Sequence, residues 1–285
     1  MDHERGHRTR GATVISVTDD PTWSPPEVDI HRPSVARVYD YYLGGSHNFA
    51  ADREFAEKVL SVLPDMPRIA QQNRAFLRRA VRHLCAEGIG QFLDLGSGIP
   101  TAGNVHDVAL ECDPGARVVY VDNDPVAVAH SRRLLDGHER VGVLAADLLD
   151  ADAVLDAAVR SGLDLSRPVG LLLVSVLHFV GDEAAPAELI ARYTKSVAPG
   201  SRLVLSHASS EAQPGAGDAQ DVYNRARSPQ AMRMRSEQEI AALFGELPLV
   251  DPGLVRIPLW RPDAPEDVPE RIEDYPGFAG VGVVG

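Results

Sequence analysis

From residue 91 onward, short apolar runs alternate with segments of helical periodicity. The runs Gln91–Leu95, Arg117–Val121, Val141–Ala146, Val169–Val176 and Ser201–His207 predict strands. Between them, Ala102–Glu111, Pro125–Leu135, Ala151–Arg160 and Glu183–Val197 place apolar residues at helical spacing. Strands that are almost wholly apolar, such as Gly170-Leu171-Leu172-Leu173-Val174, suit a sheet covered on both faces. Five such repeats predict an α/β fold with a doubly wound parallel sheet. A polar stretch then reaches about Arg235, followed by a helix at Ser236–Phe244, an extended segment at Leu249–Trp260 and a last strand at Gly280–Val284.

The chain before residue 91 reads differently. Residues 1–32 are polar and proline-containing, which predicts a flexible tail, with a short strand around Val14, Ile15 and Val17. Residues 33–90 predict three helices. Ser34 caps the first, which places Val35, Val38, Tyr39 and Tyr42 on one face and ends at Gly44-Gly45. Asp52 is the expected cap of the second, and the third runs from about Pro67 to Glu87. Residues 91–285 form the Rossmann-like domain, with the three helices as a lid across the C-terminal strand edge.

Composition narrows the function classes. Asp and Glu outnumber Lys and Arg by 41 to 28, a formal net charge of −13 that disfavours a nucleic-acid partner. Cys85 and Cys112, far apart in sequence, form no metal-ligand pattern, and Cys85 falls in an apolar helical pattern as a core residue. No signal peptide or membrane-length apolar run is present, so a cytoplasmic protein without a membrane partner is expected.

Candidate chemistry sits where strands end. In Asp94-Leu95-Gly96-Ser97-Gly98-Ile99-Pro100-Thr101, Gly96, Ser97 and Gly98 form a turn into a helix, where free N–H groups and missing Cβ atoms let a ligand approach. A dinucleotide fingerprint requires a third glycine at position 101, which is Thr. Asp94 fits poorly beside a pyrophosphate and suits a cationic amino-acid end, as in S-adenosylmethionine. Asp122, followed by Asn123, can accept from ribose hydroxyls; Asp124-Pro125 reads as helix cap and first turn. Asp147 and the Leu148 N–H can hold an adenine edge. Ser175 and His178 project toward the crevice beyond the fourth strand, His178 either as a general base or as a neighbour packed beside the cofactor.

Asp94-x-Gly96-x-Gly98, Asp122, Asp147 and Ser175–Phe179 resemble the ordered motifs of class I S-adenosylmethionine-dependent methyltransferases. Ala36–Gly45 with Asn48-Phe49 and Asp52-Arg53 is similar to one actinobacterial family of these enzymes, formerly a domain of unknown function. The resemblance implies a seven-stranded sheet with its last strand antiparallel, S-adenosylmethionine as cofactor, and the early helices over it. It implies no acceptor and no catalytic base.

Tyr39, Tyr42, His47, Asn48, Asp52 and Arg53 crowd the Gly-Gly break, and Asn48 is a candidate cofactor contact; a plain helix–helix turn is the competing reading. Arg74, ahead of Arg37, is the candidate for the cofactor carboxylate. The stretch Glu211–Arg235, with Tyr223, Asn224, Arg225 and Arg227, could shape the pocket of a small-molecule acceptor. Besides methyl transfer, two functions stay open: a non-catalytic S-adenosylmethionine-binding module and, disfavoured by Thr101 and Asp94, a nicotinamide-dependent oxidoreductase.

Overall fold

The computed structural model describes residues 28–100, 103–211, 215–225 and 231–285. The expected strand at Val14–Val17, as well as Thr101 and Arg227, lie outside the described residues. The βα series folds as its periodicity predicts. Strands β1 (Gln91–Leu95), β2 (Arg117–Asp122), β3 (Val141–Ala145), β4 (Gly170–Val174) and β5 (Arg202–Ala208) pair in parallel. The chain closes with β6 (Val255–Arg256) and β7 (Gly277–Val283), and β7 runs antiparallel to β5. The order β3-β2-β1-β4-β5-β7-β6 makes one seven-stranded sheet. This is the class I methyltransferase architecture that the resemblance implied.

Side-chain alternation along each strand divides the core. Leu93, Val119, Leu171 and Leu203 face one layer, which α6 (Ala151–Arg160), α7 (Pro186–Lys195) and α9 (Glu237–Leu243) cover. Phe92, Val118, Leu172 and Val204 face the other, against α3 (Met66–Ala86) and α4 (Val105–Cys112). Phe76, Leu77, Ala80, Val81 and Leu84 thus make α3 a cover of the sheet itself. Only its first turns, with α1 (Val35–Tyr42) and α2 (Ala50–Leu60), stand over the strand ends. The three early helices therefore do not act as one cap.

Local chemistry moves several boundaries. Position 52 is not the α2 cap: Phe49 is, and Asp52 at the third helical position accepts the Phe49 N–H at 2.8 Å. Asn104 with Asp107 starts α4 later than expected. Pro186 starts α7 after a 3-10 turn at Asp182–Ala184. Strand β4 stops at Val174 because Ser175 takes a left-handed backbone, φ 56°. The Leu249–Trp260 segment contains only the two-residue β6 before a 3-10 turn, whereas β7 is longer than expected. The polar stretch after β5 contains a helix that its composition hid, α8 (Ala216–Arg225). Between β2 and β3 lies α5 (Pro125–Leu134), capped by Asp124 through bonds to Val126 N and Ala127 N. No helix among the described residues is long and apolar enough to cross a membrane.

Candidate active site

Five parallel strands end on one side of the sheet, and there a cavity of about 640 Å³ opens beneath α1, α3 and α8. That size suits a small organic ligand. At the end of β1, Asp94 is held between Tyr120 and Leu172 in the strand register and is only 4% exposed. No donor among the described residues reaches its carboxylate. Burial pushes its pKa up to about 7, Arg74 pulls it down, and the Asp122 charge adds to the rise. Arg74 comes from α3, donates Nη2 to Asn104 Oδ1 at 3.2 Å, and keeps a buried Nε without a partner among the described residues.

The turn after β1 is tied to β2. Gly96 N and Ser97 N donate to Val121 O at 2.8 and 3.1 Å. Gly96 has φ +83°, and a Cβ there would stand 2.3 Å from Val176 Cγ2. Gly98, φ +65°, has open space where its Cβ would be, and it donates its N–H to Asp122 Oδ2 at 2.7 Å. Asp122 Oδ1 accepts the Asp124 N–H at 2.8 Å. Burial pushes Asp122 up to about 6 despite these bonds. Each of its oxygens retains a second acceptor site. Asn123 is exposed at the rim. Asp147, after β3, is also exposed and accepts the Leu149 N–H at 2.9 Å; Leu148 beside it lines the cavity.

Beyond β4 the lining changes character. Ser175 N donates to Ser206 Oγ at 3.0 Å, Ser206 Oγ donates to Asn73 Oδ1 at 2.7 Å, and Asn73 Nδ2 donates to Tyr39 OH at 3.0 Å. Tyr39 OH in turn donates to Ala70 O at 3.2 Å. His178, in the 3-10 turn Leu177–Phe179, lines the cavity, and its enclosed Nδ1 has no partner among the described residues. Burial holds its pKa well below the usual histidine value, and His207 and Arg235 add to the effect. The His207 ring lies 5.6 Å away. Its Nδ1 bonds Ala208 O at 2.7 Å and its Nε2 faces Arg235 Nη1 at 2.8 Å, which assigns the proton to Nδ1. Arg235 also donates to Leu177 O and Val180 O, both at 3.0 Å, and to Asp182 Oδ1 at 2.7 Å, so it clamps the turn that carries His178.

The cavity thus gathers Arg74, Asp94, Gly96, Ser97, Gly98, Asp122, Asn123, Asp147, Leu148, Ser175 and His178. It does not gather Asn48. That side chain donates to Asp40 Oδ2 at 2.9 Å and Gly45 O at 3.0 Å, and so builds the turn after α1. Gly45 has no room for a Cβ because the Asp40 carboxylate occupies the space. The Leu-Gly-Gly-x-x-Asn-Phe segment is a helix–helix turn here; among the described residues it approaches the glycine turn through Phe49, in one apolar cluster with Ile99 and Val126. Arg37 is also elsewhere, in a buried ion pair with Asp52 at 2.9 Å. Of the later stretch, Tyr223 lines the cavity, Asn224 bonds Met232 N at 2.7 Å, and exposed Arg225 pairs with Asp221. Asn73, Ser206, His207 and Arg235 carried no sequence signal, because each acts through partners far along the chain.

The residues present suit S-adenosylmethionine. A buried carboxylate with no donor among the described residues and the Arg74 guanidinium beside it fit the ammonium and carboxylate of its amino-acid end, and Gly98 leaves room beside them.

The chain resembles known proteins in the same sense. A family described as S-adenosyl methyltransferase matches residues 21–285. A candidate methyltransferase from Thermobifida fusca YX is 38% identical, with 92% of this chain and 98% of that one covered and a TM-score of 0.86. A DUF574 family protein from Streptomyces avermitilis MA-4680 is 37% identical over 90% of this chain and 99% of its own, with a TM-score of 0.85. No curated protein matches.

Proposed function

Since the chain belongs to the S-adenosyl methyltransferase family, whose cofactor is S-adenosylmethionine, we propose that it transfers the cofactor's methyl group to a small-molecule acceptor held in the same cavity. The observation that carries this reading is Asp94, a buried carboxylate with no donor among the described residues, at the end of the first strand beside Arg74. When bound, S-adenosylmethionine supplies an electrophilic methyl group on a sulfonium. Asp94 receives the ammonium, Arg74 the carboxylate, Asp122 the ribose hydroxyls, and Asp147 with the Leu148 N–H the adenine edge. Gly96 and Gly98 keep the backbone close, and Ser175, braced by Ser206, shapes the floor. The first turns of α3 and the Val35, Ala36 and Tyr39 face of α1 exclude water from the site. His178 is neutral and accepts the proton that an attacking O–H loses. A weak base suffices there, because an oxygen that gains a carbon bond becomes strongly acidic.

Calorimetry with S-adenosylmethionine, S-adenosylhomocysteine and NAD tests the cofactor assignment, and methyl-labelled cofactor with a panel of acceptors tests turnover. The adenosyl ligands are expected to bind and NAD is not. Asp122→Ala is expected to weaken adenosyl binding by about 1.5–3 kcal/mol, the range for hydrogen bonds to a charged group. NAD binding without adenosyl binding would overturn the reading. Tight cofactor binding with no label transferred to any acceptor would reduce the protein to a binding module.

A further inference from the structure

The charged residues that line the cavity all lie toward one side. Asp147, Asp122 with Asp124, and Asp94 follow β3, β2 and β1, and Arg74 sits over β1. The cavity continues past β4 and β5 to Ile257 and Pro276 beside β7. Along that half, no lining side chain among the described residues carries a charge, because His178 is held neutral by burial. Its walls are Leu63, Met66, Phe179, Tyr223, Met232 and Met234. Phe179 and Tyr223 present rings 5.8 Å apart and tilted by 50°. Such rings pack against a flat apolar guest, and methionines adapt to its outline. Among the polar groups nearby, Ser206, Asn73 and Tyr39 bond one another in a chain that ends on Ala70 O, and the Ser175 and Tyr223 hydroxyls also line the cavity. The His178 imidazole also lines the cavity, at the junction of the two halves.

We infer that the methyl acceptor is an uncharged, flat, largely aromatic molecule that presents to His178 the O–H that is methylated. This rests on the proposed methyl transfer. The acceptor oxygen takes the methyl group, the C–S bonding pair stays on sulfur, and the O–H proton passes to the imidazole of His178. A charge elsewhere on the acceptor would be buried without a counter-charge among the described residues and would weaken binding steeply.

The test uses the full chain saturated with S-adenosylhomocysteine and follows the fluorescence of 2-naphthol and of 6-hydroxynaphthalene-2-sulfonate, which share a ring system and differ by one charge. The neutral probe is expected to bind, and the sulfonate at least about ten-fold more weakly, the direction an unpaired buried charge requires. Met232→Lys supplies a counter-charge in the apolar half and is expected to shift this preference about ten-fold or more toward the sulfonate. If that variant fails to fold, the comparison on the unaltered chain still decides. Equal or tighter binding of the sulfonate to the unaltered chain overturns the inference, as does binding of neither 2-naphthol nor 4-phenylphenol. Calorimetry on the same sample keeps the two ideas apart. Homocysteine-ligand binding with an unfavourable probe result sinks only the acceptor class, and absence of that binding sinks the methyl-transfer reading and the inference together.

Discussion

Gly96 and Gly98 share a left-handed backbone and have opposite surroundings. A methyl at Gly96 meets Val176, so Gly96→Ala is expected to destabilise the fold by about 2–4 kcal/mol, combining strain with overpacking. A methyl at Gly98 meets open space, so Gly98→Ala is expected to cost about 1–2 kcal/mol of backbone strain and to lose cofactor affinity besides. Urea unfolding paired with calorimetry separates the two; equal effects on both quantities would refute the distinction. Asp94 is the other residue whose environment sets its behaviour. Its carboxyl is raised from 3.8 to about 7. Between those values the folded, ligand-free protein holds a proton that the unfolded chain has released, so its stability falls as pH rises through that window. A bound ammonium favours the ionised form, so affinity for S-adenosylhomocysteine is expected to climb from about pH 5 to 7, by at most about ten-fold per unit. In Asp94→Asn the affinity should be lower and the Asp94 component of the pH profile absent. An unchanged profile in that variant would remove Asp94 from the site.

At the scale of elements, α1 and α2 are joined by a buried knot. Asp52 accepts the Ser34 N–H at 2.9 Å, the Phe49 N–H at 2.8 Å and the Arg37 guanidinium. Burial nonetheless outweighs these partners and raises the Asp52 pKa. Asp52→Ala leaves Arg37 buried without its counter-ion and is expected to destabilise the protein by about 3–5 kcal/mol. Because neither residue lines the cavity, cofactor affinity of the folded fraction should stay within about two-fold, well under the ~1.4 kcal/mol that a ten-fold change represents. Denaturation and calorimetry on the same variant check this, and a selective loss of affinity would return the knot to the binding site. Helix α8 shows the converse case. Its residues are mostly polar or small, yet Ala216, Ala219 and Tyr223 are buried, with Tyr223 edge-on to Phe55 at 4.9 Å. Its partners lie on α2, more than a hundred residues earlier, so no local window contains the reason for its fold.

For the whole molecule, the cavity is built by elements from both ends of the described chain, from Ser34 to Pro276. A ligand there binds only the folded state. At a concentration 100 times its dissociation constant, S-adenosylhomocysteine should stabilise the protein by about 2.7 kcal/mol. That corresponds to a rise in melting temperature of roughly 5–10 °C for a chain of this size. Scanning calorimetry checks it, and no shift at saturation would contradict a cofactor site that spans the fold. The strand–helix order, the doubly wound sheet and the strand ends bearing Asp94, Gly96, Gly98, Asp122 and Asp147 were legible in the sequence, because periodicity, turn chemistry and strand-end position are local properties. The antiparallel last strand came from family resemblance, since pairing direction leaves no local trace. Only the tertiary structure decided that Asn48 and Arg37 serve internal bonds, that α3 covers the sheet, and that His178 is held neutral and clamped through Arg235. Those outcomes depend on which long-range partner reaches a polar group first and on how much water burial removes from it, and neither quantity is written in any short stretch of chain.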